Sequence, residues 1–358
     1  MRRLAKTTIA AALSWSGAHE WLGRRQPKTP LILGYHRVVE SVAATQGKIL
    51  PGMTISQRML RAHLEWVARR YRIVSLDELG AALERREPCG KLAAITFDDG
   101  YQDVHDYALP VLQQMGLPAA VFVVSSLVGT DHLPLHDELF EIVKDVSGPQ
   151  ARRSMPRSLA DALSACEHDP RGGPLAMSHT VRALLALPAA KLTPILDDLR
   201  ALGWHNVPAR ELVTMDWTAL EAMQRGGVTI GSHTHTHALL DREDDDRLID
   251  ELVRSRSVLE AGLGRPVHHL AYPDGRFNLR VARAVATAGY KFAYTICDHA
   301  VEAAPLLTIP RVMLWEGSCA GALGGFSSSL MHCHASSVLP YPSRCDDDHG
   351  TQSQVLPC

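Results

Sequence analysis

Residues 93–100 read Ala93-Ala94-Ile95-Thr96-Phe97-Asp98-Asp99-Gly100. A short strand-forming run, apolar on both faces, leads straight into two carboxylates and a glycine. That pattern suits a strand covered on both sides, as in a parallel sheet. Asp-Gly alone is a common turn. At the C-terminal end of a barrel strand, however, carboxylates face the usual active site of such folds. Adjacent side chains diverge, so one carboxylate can bind a metal while its neighbour orients a water.

Comparable runs recur on either side, at residues 31–35, 72–74, 119–124, 228–231, 269–272, 292–296 and 307–309. Helix patterns lie between them. Residues 56–70 set Met59, Leu60, Leu64 and Val67 on one stripe, with Ser56 as the cap. Residues 104–115 and 241–263 read similarly, the second opening on an acidic DREDDD that suits a helix N-terminus. Repeated strand–helix alternation predicts an α/β barrel. Residues 129–217 break the alternation and read as a mainly helical insertion, rich in Leu, Ala and Arg with scattered prolines. The expected organisation is a leader or helix over residues 1–30, a barrel over 31–330 carrying that insertion, and a disordered tail over 331–358.

Composition narrows the classes. The 358-residue chain is 46% hydrophobic and 21% charged, which suits a globular protein. Lys+Arg (37) nearly balances Asp+Glu (39), so no global field draws it to nucleic acid. No apolar run approaches the ~20 residues of a membrane span. The basic start (Arg2, Arg3, Lys6) and a short apolar stretch resemble a weak export signal, but no clear cleavage site follows, and a cytoplasmic location is slightly favoured. The 7 cysteines are odd in number and lack C-x-x-C spacing, so no disulfide framework is expected in the main body. The 18 histidines are the better lead.

Three of them fall in Gly231-Ser232-His233-Thr234-His235-Thr236-His237, again directly after an apolar run. Residues four apart share a face in either helical or extended chain, so His233 and His237 can converge on one ion. His235 joins them only if the segment is extended. Two imidazoles and one carboxylate make a three-ligand site with positions left for water and substrate. Tyr272-Pro273-Asp274-Gly275 is a turn at another strand end, able to aim a backbone N–H at a developing oxyanion. Gly34-Tyr35-His36-Arg37 ends the first run and offers a candidate general acid. Arg311 ends the last run and either pairs with a catalytic carboxylate or is a rim charge; Asp298 and His299 are weaker candidates.

Taken together, GYHRV, TFDDG, SHTHTH and YPDG resemble the metal-dependent polysaccharide deacetylases, the NodB-homology proteins of carbohydrate esterase family four. The likeness covers about residues 31–330. It implies a distorted (β/α) barrel of about seven strands and hydrolysis of N-acetyl groups on amino sugars. It also implies Asp98 as catalytic base, Asp99, His233 and His237 as ligands of a divalent ion, with zinc expected, and the Asp274 N–H in the oxyanion position. Many members carry Arg where this chain has Ala271 and an aromatic residue where it has Asp274, and the usual C-terminal acid segments are missing. The subgroup acting on poly-N-acetylglucosamine exopolysaccharides opens with Tyr-His instead. His36 matches that pattern and is the expected acid, with His299 and His235 as alternatives. The expected partner is an N-acetylated glycan, and the oligomeric state is left open. The rival readings are a non-catalytic glycan-binding barrel and a deacetylase acting on a non-sugar amide or an O-acetyl ester. The inserted segment is expected to shape the substrate cleft.

Overall fold

The apolar run that precedes Asp98 and Asp99 forms β5 (Leu92–Phe97), with all six residues buried. In the computed structural model, β5 sits in the middle of a parallel sheet. The structure describes residues 2–16, 29–45, 47–50, 52–146, 181, 184, 185, 187, 189–201, 212–297, 301 and 303–336. The other barrel strands are β1 (Leu31–Tyr35), β6 (Ala119–Val123), β7 (Val228–Ser232), β8 (His269–Ala271), β9 (Phe292–Thr295), β10 (Ile309–Pro310) and β11 (Val312–Met313). Their order is β10-β9-β8-β7-β6-β5-β1-β11, and β4 (Arg72–Ile73) adds to β5.

The seam explains the distortion. The chain runs from β10 through Arg311 into β11. β10 pairs with β9, and β11 pairs with β1. Arg311 N donates to Thr295 O at 2.8 Å, and Leu314 N donates to Gly34 O at 2.8 Å. One short stretch thus bridges the two ends of the sheet. Gly34 makes room for it, because a Cβ there would lie 2.1 Å from Met313 Sδ. All these pairings are parallel, so the strand C-termini gather on one rim, as the barrel reading requires. Two short strands outside the expectation, β2 (Arg37–Val39) and β3 (Thr54–Ser56), pair with each other and carry the chain away from the rim just after His36.

The helices follow their signals closely. Helix Gln57–Ala68 begins at Ser56, whose Oγ accepts from Met59 N at 3.2 Å, and it buries Met59, Leu60, Leu64 and Val67. Helix Asp245–Leu263 is capped by Asp244 rather than starting at residue 241. The expected single helix over 104–115 is divided: a π-helical turn, Val104–Ala108, precedes the α-helix Leu109–Met115. Pro110 has no N–H for a regular i→i−4 bond, so the ladder changes register ahead of it.

Between β6 and β7 lie helices Leu135–Val146 and Ala189–Ala201. Their apolar residues, including Leu139, Phe140, Leu192 and Ile195, form a small cluster of their own with Leu50. The described part of the insertion is therefore mainly helical.

The boundary expected at residue 331 is corrected. Helix Ser328–Ala335 runs through it and buries Leu330, Met331, Cys333 and His334. Trp66 Nε1 donates to Ser328 Oγ at 2.8 Å, and the N-terminal helix Arg2–Trp15 packs on the same helix. The four apolar or aromatic side chains at helical spacing were too few for a periodicity to stand out. Residues 337–358 lie outside the described residues. Cys297 is disulfide-bonded, while Cys89, Cys319 and Cys333 are buried thiols outside any disulfide. The cysteine spacing alone had not pointed to that bond. No helix among the described residues is long and apolar enough to cross a membrane.

Candidate active site

Asp98 and Asp99 leave β5 at the rim, and their side chains part, as adjacent residues should. Asp98 turns to the seam. Its two oxygens accept from Arg311 Nη1 at 2.7 Å and Nη2 at 2.8 Å, a bidentate pair buried at both ends. This settles the role of Arg311 as the partner of a carboxylate rather than a rim charge. Burial pushes the Asp98 carboxyl up, but Arg311 and His233 outweigh it and hold it at about 2.

Asp99 turns the other way and is 1% exposed. Neither of its carboxylate oxygens has a hydrogen-bond partner among the described residues. Instead, Oδ1 lies 3.5 Å from His233 Nε2 and 3.4 Å from His237 Nε2, while Oδ2 lies 3.7 Å from His136 Nε2. Bonds of about 2.0–2.2 Å to a tetrahedral ion would put ligand atoms about 3.3–3.6 Å apart. The spacing is that of donors around a cation. Burial first, then the charges of Asp98 and Asp137, pushes Asp99 well above the ordinary carboxylate range. A buried carboxylate in that state is relieved by a cation among its neighbours. Burial likewise lowers His136, His233 and His237, which keeps the imidazoles neutral, the form that ligates. His233 Nδ1 donates to Ala271 O at 2.8 Å, which aims its Nε2 at Asp99. The donor set fits a divalent ion such as zinc.

The backbone here is under strain. Five non-glycine residues have positive φ among the described ones, and four belong to the candidate motifs: Asp99 (70°), Thr234 (65°), His237 (62°) and Asp274 (51°). Such conformations cluster where a site is held together by its surroundings.

The other expected residues are distributed as follows. His36 is half-buried where β1 ends, in the electrostatic reach of Asp98, His136 and His233. Burial lowers it to about 4, against the opposing pull of Asp98. Asp274 is exposed in the turn after β8. His235 does not join the cluster: its Nδ1 lies 2.9 Å from Ser125 Oγ. Asp298 and His299 lie outside the described residues.

Comparison with known proteins agrees with this geometry. The polysaccharide deacetylase family model matches residues 85–155 and 190–293, which include Asp98, Asp99, His233 and His237. The chain belongs to the polysaccharide deacetylase family. It is 27% identical over 126 residues to YxkH of Bacillus subtilis (strain 168), named for the same family, across 35% of this chain and 42% of that protein. The chain thus spans less than half the length of that curated relative. In fold it is similar to IcaB from Ammonifex degensii, with TM-score 0.54 and 18% identity over 87% of this chain and 98% of that one. The Streptococcus pyogenes deacetylase PplD in complex with acetate gives TM-score 0.52 and 19% identity over 81% and 94%.

Within this deacetylase fold, two parts of the site escaped the sequence reading. The first is Glu251, fully buried on helix Asp245–Leu263. Its Oε2 accepts from His235 N at 2.9 Å and Thr236 N at 2.8 Å, and its Oε1 accepts from Thr236 Oγ1 at 2.5 Å. This carboxylate clamps the loop between His233 and His237, and Arg247 pairs with it at 3.0 Å. An acidic residue mid-helix carries no sequence signal for that role. Glu251→Ala is expected to weaken zinc binding roughly 10–100-fold, as loss of ligand-orienting groups does. Titration against a competing chelator measures it, with a smaller loss expected for Glu251→Gln, which keeps one acceptor. Wild-type affinity in Glu251→Ala would mean that the loop holds its own shape.

The second is His136, from the insertion. The only hint is its neighbourhood, Pro134-Leu135-His136-Asp137-Glu138, which reads as an ordinary helix start. The insertion also walls a cavity of about 770 Å3, lined by Leu127, Leu185, Leu196, Glu243 and Arg247, with His237 at its edge. Its size lies in the range of small-ligand sites.

Proposed function

We propose that the protein removes N-acetyl groups from N-acetylglucosamine units of a poly- or oligosaccharide, with a divalent metal on Asp99, His233 and His237. The observation that carries the reading is the Asp99 carboxylate, buried without a hydrogen-bond partner and faced by imidazole nitrogens at 3.4–3.7 Å. The acetate held by PplD is the fragment that such hydrolysis releases. A bound divalent ion would supply Lewis acidity, making a water more acidic and polarising the acetyl carbonyl.

The residues divide the remaining work. Asp98 takes one proton from the attacking water at a carboxylate oxygen. Its bidentate pairing with Arg311 fixes the carboxylate plane and keeps it ionised, so it is always ready to accept. The water oxygen joins the acetyl carbon, and the Asp274 N–H donates to the oxyanion. The C–N bond then breaks, and His36 gives a proton to the leaving amine. His36 is neutral at rest, since burial holds it at about 4. The proton it donates is therefore one it receives during turnover, and Asp98 is the neighbouring group that can pass it on. The cavity beside His237 receives the sugar units that flank the scissile acetamide.

Chelator-treated protein should release no acetate from N-acetylglucosamine oligomers, and zinc should restore the release, measured by enzymatic acetate assay over a series of chain lengths. Absence of release from every oligomer, with release from an O-acetyl ester or a non-sugar amide, would replace the substrate class. No release from any of them would leave a glycan-binding barrel.

A further inference from the structure

The family-like ligand set is drawn entirely from strand ends of the barrel, yet a third imidazole reaches the same carboxylate from the insertion. His136 lies on the first turn of helix Leu135–Val146 and is 5% exposed. Its Nε2 is 3.7 Å from Asp99 Oδ2, and its ring is 5.4 Å from that of His237, centroid to centroid. Asp99, His136 and His237 each offer a ligand atom within 4.8 Å of the others, a grouping able to hold a metal ion. We infer that His136 is a further ligand of the active-site ion, so that the inserted segment completes a donor set of one carboxylate and three imidazoles.

The residues around His136 are arranged to hold it there. Asp137 N donates to Pro134 O at 2.9 Å, closing the turn that starts the helix. Tyr101, two residues after Asp99, donates its hydroxyl to Asp137 Oδ2 at 2.6 Å and lies 2.6 Å from His136 Nε2. The Arg37 guanidinium stacks on the Tyr101 ring at 4.4 Å and is paired with Asp103 at 2.8 Å, which fixes the tyrosine from behind. In this arrangement Nε2–H donates to the tyrosine oxygen. To ligate, the imidazole moves its proton to Nδ1 and trades the tyrosine contact for the ion. The 3.7 Å gap to Asp99 Oδ2 is close to the ligand–ligand spacing of about 3.3–3.6 Å around a tetrahedral ion. Tyr101 keeps its bond to Asp137 throughout. Four protein donors leave the ion fewer open positions than three, so the insertion would set both how firmly the ion is retained and how many positions remain for substrate.

This inference rests on the metal-dependent reading, and the test separates the two. The chelator-treated protein is loaded with cobalt(II), whose d–d absorption reports the number and type of donors, and zinc affinity is measured by competition. His136→Ala is expected to change the cobalt spectrum and to weaken zinc binding on the order of 100-fold, with His136→Gln as a second variant if the first does not fold. Tyr101→Phe, which removes only the hydroxyl that Nε2 gives up on ligation, should leave the spectrum in place and zinc binding at least as tight as in the wild type. A His136 variant with the wild-type spectrum and affinity overturns the inference while leaving the metal site intact. Wild-type protein that gives no cobalt spectrum overturns the metal reading itself.

Discussion

Asp98→Asn should lower kcat/KM for acetate release by roughly 10²–10⁴-fold, the usual contribution of a general base, while leaving the bound metal in place. The amide keeps the shape of the carboxylate but cannot take the water proton. Asp98 is not in the ligand cluster, because its oxygens are turned to Arg311, so metal content should match the wild type. Loss of both activity and metal would mean that the two carboxylates share the ion, and full activity would remove Asp98 from the mechanism. The same variant carries a stability signature. Asp98 is held at about 2 in the fold against 3.8 in the unfolded chain, so its ionised form stabilises the protein above pH 3.8. That contribution, about 2 kcal/mol by the usual 1.36 kcal/mol per pKa unit, is lost as the pH falls from 3.8 through about 2. Asp98→Asn should also leave the buried Arg311 without its charge partner, so it should be less stable than wild type at neutral pH.

Asp99→Asn should do the reverse in the metal-free protein. The wild-type carboxylate is buried with neither oxygen hydrogen-bonded, beside two other carboxylates. Without a cation it is a cost to the fold. Its pKa lies well above the unfolded value of 3.8, so the folded state binds the extra proton and metal-free stability falls as the pH rises above 3.8. The amide removes that charge, and the metal-free variant should be at least as stable as metal-free wild type at pH 7, by about 1–3 kcal/mol. With zinc at about a thousand times its Kd, the wild type should gain about 4 kcal/mol and the variant almost nothing. Thermal unfolding with chelator and with zinc reads both effects. A variant that is destabilised in chelator, or that keeps the zinc response, would move the ion away from Asp99.

Both effects depend on residues that the sequence displays plainly and on partners that it hides. TFDDG and SHTHTH stand directly after apolar runs, and a run apolar on both faces is legible as a buried parallel strand. From that, the shared rim of Asp98, Asp99, His233 and His237 follows, since parallel strands end on one side. His36 is legible for the same reason. Arg311 was visible as a charge at a strand end but not as a partner, because which carboxylate it meets depends on how the seam closes. Glu251 and His136 were not legible at all. Neither lies at a strand end, and each reaches the site from a helix whose placement is a matter of packing.

The local chemistry of the chain therefore determined its fold class, its family motifs and the four residues that parallel strand ends bring to one rim. Those are short-range facts: hydrophobic period, turn residues and ligands a few positions apart. Only the tertiary structure decided that Asp98 is locked to Arg311 from 213 residues away, that Glu251 clamps the histidine loop and that His136 comes in from the insertion. It also turned His235 outward to Ser125 and carried an ordered helix past residue 331. Contacts between distant segments are set by how helices and strands pack, and no local periodicity encodes them.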